Sequence, residues 1–123
     1  MILLDSNIVI YAAGPEYKKL REWLRRKPIV ISDLTKLEVL GYHLITDVEF
    51  AWFTGFFDRI RSIPISSEII EAAIPLRRSN KMSLGDSVIA ATALVHGLEL
   101  CTNNQKDFET VENLQMTDVG KYL

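Results

Sequence analysis

Short apolar runs that stop at a polar residue place the tightest limit on what this chain can fold into. Met1-Ile-Leu-Leu ends at Asp5, Ile29-Val30-Ile31 ends at Ser32, and Leu98-Glu99-Leu100-Cys101 ends at Thr102. The first two are apolar at every position, the pattern of a strand buried on both faces. Helical patterns fill the space between them. Within residues 16–27, Tyr17, Leu20, Trp23 and Leu24 share a stripe, lysines and arginines occupy the other face, and Pro28 stops the helix. Residues 34–44 read as the next helix, capped at Ser32 or Asp33, or through a Thr35–Glu38 capping box. Buried strands alternating with helices predict an α/β fold, with a parallel sheet covered on both sides.

The remainder fits the same plan. Residues 47–60 carry Phe50, Trp52, Phe53, Phe56, Phe57 and Ile60 on more than one face, so part of this surface is expected to be core and part an interface. Ile63-Pro64-Ile65 reads as a short edge strand or an extended link. A helix over 68–78 opens at Ser66 or Ser67, with a kink or restart expected at Pro75. Ser83 caps an alanine-rich helix that Gly97 ends, and residues 114–116 form a last short strand. A chain of 123 residues without repeats or linkers is expected to be one domain, 1–123. Its single cysteine, Cys101, excludes a disulfide framework and reads as a small buried hydrophobe. The opening residues lack the pattern of a secretory signal, and no run is long enough to span a membrane, so a cytoplasmic location is expected. A net charge of −2 does not suggest a dedicated duplex-DNA binder. Two basic clusters stand out locally, one from Lys18 to Lys27 and one from Arg77 to Lys81, each readable as a phosphate-binding surface or as a solvated helix face or end.

In a parallel sheet, strand C-terminal ends and the helix starts that follow them share one edge. Asp5, Glu38, Asp86 and Asp107 are all assigned to that edge by this reading. Clustered carboxylates repel and resist desolvation, so together they call for a cation. Oxygen ligands without His or Cys suit Mg²⁺ or Mn²⁺ and not zinc. Taken singly, each acid also has an ordinary explanation as a helix cap, a dipole partner or the close of a turn. The histidines stand outside the pattern: His43 reads as structural or exposed, and His96 as a partner of a helix C-terminus.

The ordered motifs resemble the PIN-domain family, in particular the small VapC-type ribonuclease toxins. Met1-Ile-Leu-Leu-Asp5-Ser6-Asn7-Ile8 resembles the opening strand with its first carboxylate. Ile31-Ser32-Asp33-Leu34-Thr35-Lys36-Leu37-Glu38 resembles the second strand and its glutamate-bearing helix. Ser83-Leu84-Gly85-Asp86-Ser87-Val88-Ile89-Ala90-Ala91 and Thr102-Asn103-Asn104-Gln105-Lys106-Asp107-Phe108 resemble the last two motifs, so the match spans nearly the whole chain. The resemblance implies a PIN-like three-layer α/β/α sandwich with a mainly parallel central sheet. It implies that Asp5, Glu38, Asp86 and Asp107 are catalytic and hold Mg²⁺ or Mn²⁺, Asp107 in a looser, water-mediated way. It makes Ser6, Asn7, Thr102 and Asn104 orienting groups, whereas Asp33 lies outside the usual set and reads as a cap. It implies hydrolysis of RNA by metal-activated water, a homodimer that uses surface near residues 50–57, and a small antitoxin protein that occludes the site, with no membrane partner. Two other readings keep the fold: a PIN nuclease acting on another nucleic acid, and a catalytically inactive PIN-like binding module. A receiver-like fold would need an acidic pair after the first strand, which Asp5-Ser6 does not supply.

Overall fold

The structure, a computed structural model, describes residues 1–123. Five strands make one sheet: β1 Ile2–Leu4, β2 Ile29–Ser32, β3 Arg61–Ile63, β4 Glu99–Cys101 and β5 Met116–Thr117. Their order is β3-β2-β1-β4-β5, and every neighbouring pair is parallel. Ile2 lies opposite Ile29 on one side and Glu99 on the other, which puts β1 at the centre. The chain winds from β1 outward through β2 and β3, then returns to β4 and winds the other way. The reversal falls between β1 and β4, where sheets of this kind open a crevice beyond their strand ends.

Six helices flank the sheet: α1 Ser6–Ala12, α2 Lys18–Arg25, α3 Asp33–Leu40, α4 Asp47–Phe57, α5 Ser67–Asn80 and α6 Leu84–His96. Alternate side chains of the strands point to opposite layers. Ile2, Leu4, Ile31 and Cys101 pack with Ile8, Leu20, Trp23 and Phe53 from α1, α2 and α4. Leu3, Val30 and Leu100 pack with Ile69, Ala73, Ile89 and Ala90 from α5 and α6. Both faces of the central strands are therefore dry, which is why β1 and β2 read as continuous apolar runs. The result is an α/β/α sandwich. None of its helices is long and apolar enough to cross a membrane.

Caps set the helix starts. The Oγ atoms of Ser32, Ser66 and Ser83 accept from the backbone N–H of Leu34, Ile69 and Asp86, and Thr46 with Glu49 forms a full capping box on α4. Gly97 ends α6 in the left-handed conformation, with φ of 62°.

Several expectations are corrected. A helix follows Asp5 at once, and Asp5 is its N-cap; the sequence pattern gives no element there. Ser32 caps α3, so neither Asp33 nor a Thr35–Glu38 box does so, and α3 stops at Leu40 before Gly41. Asp33 instead accepts a hydrogen bond from the Ser62 hydroxyl on β3. The third strand precedes Pro64 and does not include it, since a ladder position needs the N–H that proline lacks. α5 runs through Pro75 as one element without a restart. Pro75 is exposed, so the carbonyl its ring leaves unpaired can bond to water.

Leu3 and Leu4 are both fully buried, on opposite faces of β1. Leu3→Ala and Leu4→Ala are each expected to cost about 2–5 kcal/mol of unfolding free energy. Urea denaturation checks this: a loss confined to one of the two would mean that one face of the sheet is not closed.

Candidate active site

Asp5 closes β1 at the switch point. Its backbone N–H donates to the Cys101 carbonyl at 2.9 Å, which ties the end of β1 to the end of β4. Its carboxylate is buried and held at both oxygens. The Ser6 N–H donates to Oδ1 at 2.8 Å, and the Thr102 hydroxyl donates to Oδ2 at 2.8 Å. Thr102 is itself oriented, because its Oγ1 accepts from the Asn104 N–H at 3.0 Å. Asn104 therefore orients the site through its backbone, while its side chain is exposed.

Glu38 is reached through Ser6. The Ser6 hydroxyl donates to Glu38 Oε1 at 3.0 Å and lies 3.2 Å from the Thr35 hydroxyl. Ser6 has one proton and spends it on Glu38, so Thr35 is the donor in the second contact. Thr35 is fully buried, and its part in this chain of hydroxyls was missed in the sequence. A Thr facing inward three residues before Glu38, on the same face of α3, was the available signal. Asn7 is half-buried on the first turn of α1 and makes no side-chain hydrogen bond.

Asp86 occupies the first turn of α6, half-buried, with its N–H on Ser83 Oγ at 3.1 Å. Glu38 reaches this turn: its Oε2 is 3.6 Å from where a Cβ on Gly85 would stand. Asp107 closes a short 3-10 turn, Gln105–Asp107, and is exposed.

Electrostatics link the four. Burial raises the Asp5 carboxyl above the ordinary carboxylate value, against its two hydrogen bonds, and the charges of Glu38 and Asp107 add to the rise. Burial likewise raises Asp86, and the charges of Asp5 and Asp107 push it further. No cation offsets this, since the chain's one salt bridge joins Lys18 to Glu22, on α2. No three of the acids stand close enough to chelate a single ion. Like charges without a cation between them hold apart. The donor set is hard and anionic and lacks a protein counter-charge, so its chemistry fits a divalent cation such as Mg²⁺ or Mn²⁺.

Cys101 is fully buried beside Asp5, and burial pushes its thiol up to about 12. This bears out its reading as a small hydrophobe. His43 and His96 are exposed and outside the site.

A parallel sandwich with carboxylates at its switch point defines a class, and the family comparison identifies it. The PIN-domain model matches residues 2–114. Ribonuclease VapC10 of Mycobacterium tuberculosis is 34% identical over 124 residues, covering 94% of this chain and 91% of that protein. A toxin–antitoxin complex from Klebsiella pneumoniae contains a chain of similar fold, with a TM-score of 0.74, 30% identity, and coverage of 93% of this chain and 95% of that one. DNA-bound VapBC from Salmonella typhimurium gives a TM-score of 0.84 at 23% identity, covering 95% and 96%, a likeness of fold. The chain belongs to the PIN-domain family, among the VapC-type toxins of toxin–antitoxin pairs, a group of nucleases.

The raised carboxyls set a pH dependence. A folded-state pKa above the unfolded value means that the native state binds the extra proton, so stability falls as pH rises through the shifted range. Asp86→Asn removes one such group. In chelator, the variant is expected to match the parent below the ordinary aspartate pKa of 3.8 and to melt at a higher temperature than the parent near neutral pH. Thermal melts across pH check this, and a less stable variant at pH 7 would contradict it.

Proposed function

We propose that this chain is a metal-dependent endoribonuclease, the toxin of a type II toxin–antitoxin system, hydrolysing RNA phosphodiester bonds with metal-activated water. The observation that carries the reading is the set of carboxylates at one sheet edge, two of them, Asp5 and Asp86, pushed up by burial and by neighbouring acids, without an ion-paired cationic side chain. Such an arrangement costs stability, and a bound divalent ion offsets that cost. Asp5, Glu38, Asp86 and Asp107 would hold Mg²⁺ or Mn²⁺, which when bound lowers the pKa of a water and neutralises charge developing on the phosphate.

The chain's own residues do the rest. Thr102 and the Ser6 N–H fix the Asp5 carboxylate, so its oxygens need no reorganisation when a cation or substrate arrives. Ser6 holds Glu38 from the other side and couples the two acids through one residue. Asp107, exposed on its turn, is the acid best placed to act through water. No side chain serves as nucleophile: the Ser6 and Thr102 protons are committed to carboxylates, and the Cys101 thiol is buried and stays protonated. Attack by water would leave a 5′-phosphate and a 3′-hydroxyl.

Ribonuclease VapC10 names RNA as that relative's substrate, and the Klebsiella chain is solved as a toxin–antitoxin complex. By analogy, a small antitoxin would lie over the acids here, an Arg or Lys of its tail taking the place of the cation. A homodimer would draw on exposed apolar side chains such as Val48 and Phe50 on α4.

With Mn²⁺ or Mg²⁺ and single-stranded RNA, the parent chain is expected to cut, and chelator to stop it. Asp5→Asn and Asp86→Asn are each expected to lower kcat at least a hundredfold, as removal of a key charge-stabilising group does. Thr102→Val, which frees one Asp5 oxygen, is expected to fall between them and the parent. Equal cleavage by the parent and both aspartate variants in a gel assay would refute the assignment.

A further inference from the structure

A second feature lies at the opposite edge of the sheet from the acids. The C-terminal ends of α2 and α4 and the starts of β2 and β3 enclose an open groove of about 760 Å³. Arg25, Lys27, Arg59 and Arg61 line it, and no carboxylate does. All four are exposed, and none has an ion-pair partner. Arg21 also lines it, but its guanidinium is tied back to the Ala12 and Gly14 carbonyls and serves the fold. The groove wall carries Trp52 and Phe56, with ring centroids 5.4 Å apart and planes 15° from parallel. Trp52 remains 36% exposed, although Phe53 and Phe57 from the same helix are buried in the core.

Helix dipoles favour cations at helix C-termini and account for part of this charge. They do not account for a stacked, accessible aromatic pair among the cations, or for the lack of any acid in the wall on a chain whose net charge is −2. Cations that track a phosphate backbone beside aromatic faces that accept bases are the two elements of a single-strand nucleic-acid platform. A protein occupant of acidic character would satisfy the charges and bury the rings, but parallel rings set among unpaired cations match a base stacked beside its own phosphate more specifically, and the test below separates the two.

We propose that this groove is an exosite for a single-stranded stretch of the RNA substrate, separate from the carboxylate edge where cleavage takes place. The proposal rests on the ribonuclease reading for its choice of RNA. Arg25, Lys27, Arg59 and Arg61 contact phosphates, and Trp52 stacks a base. The groove supplies the attraction for a polyanion that the acidic edge cannot.

The test measures binding without cleavage. The Asp86→Asn chain in chelator is titrated with a fluorescein-labelled, single-stranded oligoribonucleotide of mixed sequence, by anisotropy and by tryptophan fluorescence, over a range of salt. RNA is expected to quench Trp52, and Trp52→Ala to lose the quenching and weaken binding about tenfold. Arg25→Gln with Arg59→Gln is expected to reduce the slope of log K against log salt by about 1.4, at ~0.7 per phosphate contact on a single strand. Arg77→Gln with Arg78→Gln, in the other basic cluster, is expected to leave the slope unchanged. Circular dichroism and melting temperature confirm that each variant folds. Unchanged affinity and slope in the groove variants would overturn the exosite, as would an equal loss in the Arg77/Arg78 variant. Quenching of Trp52 by an acidic amphipathic peptide but not by RNA would also overturn it, making the groove a protein site. The two readings fail separately: a chain that cuts RNA with unaffected groove variants loses only the exosite, and one that binds RNA as described but never cuts loses only the ribonuclease.

Discussion

The Asp5 carboxylate is the constraint around which the rest is arranged. It is buried at the end of the central strand, where desolvation works against its charge. Three contacts hold it there: its N–H on the Cys101 carbonyl, the Ser6 N–H on one oxygen and the Thr102 hydroxyl on the other. Each reaches a different part of the fold, the end of β4, the first turn of α1 and the loop after β4. The same group therefore joins the two halves of the sheet at their switch point, caps a helix and presents a negative charge to the crevice. A carboxylate placed so costs stability in the protein alone. Its surroundings are built to keep it in position and not to neutralise it.

The parallel sheet makes this possible because it sorts helix ends. Helices that connect parallel strands return in the opposite direction, so their N-termini gather at the strand C-terminal edge. Asp5 caps α1 there, and Asp86 sits in the first turn of α6. The positive ends of the helix dipoles offset part of the repulsion among the acids, though only in part, since both carboxyls remain raised. The site is thus stable enough to fold and still electrostatically unsatisfied.

The parts legible in the sequence were those where one residue type answers one local demand. The apolar runs of β1 and β2 announce burial on both faces, and Ser83 followed by Asp86 and an alanine-rich stretch announces α6 with its cap. The order of Asp5, Glu38, Asp86 and Asp107 along the chain placed them on one edge once the sheet was taken to be parallel. What stayed hidden depends on contacts between distant residues. Thr35 pairs with Ser6 across 29 positions, and Asp33 with Ser62 across the same separation. No local pattern separates Asp33, bonded sideways to β3, from a helix cap, and Ser32 beside it was an equally good candidate. α1 escaped notice because seven residues after a strand hold too few turns for a periodic signal. Arg59 and Arg61 likewise join Arg25 and Lys27 only in the fold, so the groove they line cannot be read from the Lys18–Lys27 cluster alone.

Net charge conceals this arrangement. A value of −2 over 123 residues suggests a surface indifferent or mildly hostile to a polyanion. The fold instead separates the signs. The unpaired acids stand at the strand C-terminal edge, and Arg25, Lys27, Arg59 and Arg61 line the opposite one beside the C-terminal ends of α2 and α4. Arg25 in the last turn of α2 and Asp86 in the first turn of α6 each carry the sign their helix dipole favours, so this placement costs little. Mixing the two sets would have done the reverse: it would have paired Asp5 and Asp86 with arginines and lowered their carboxyl pKa values. Arg25, Lys27, Arg59 and Arg61 thus stand apart from Asp5, Glu38, Asp86 and Asp107, and the charge a partner meets depends on the edge it approaches, not on the total.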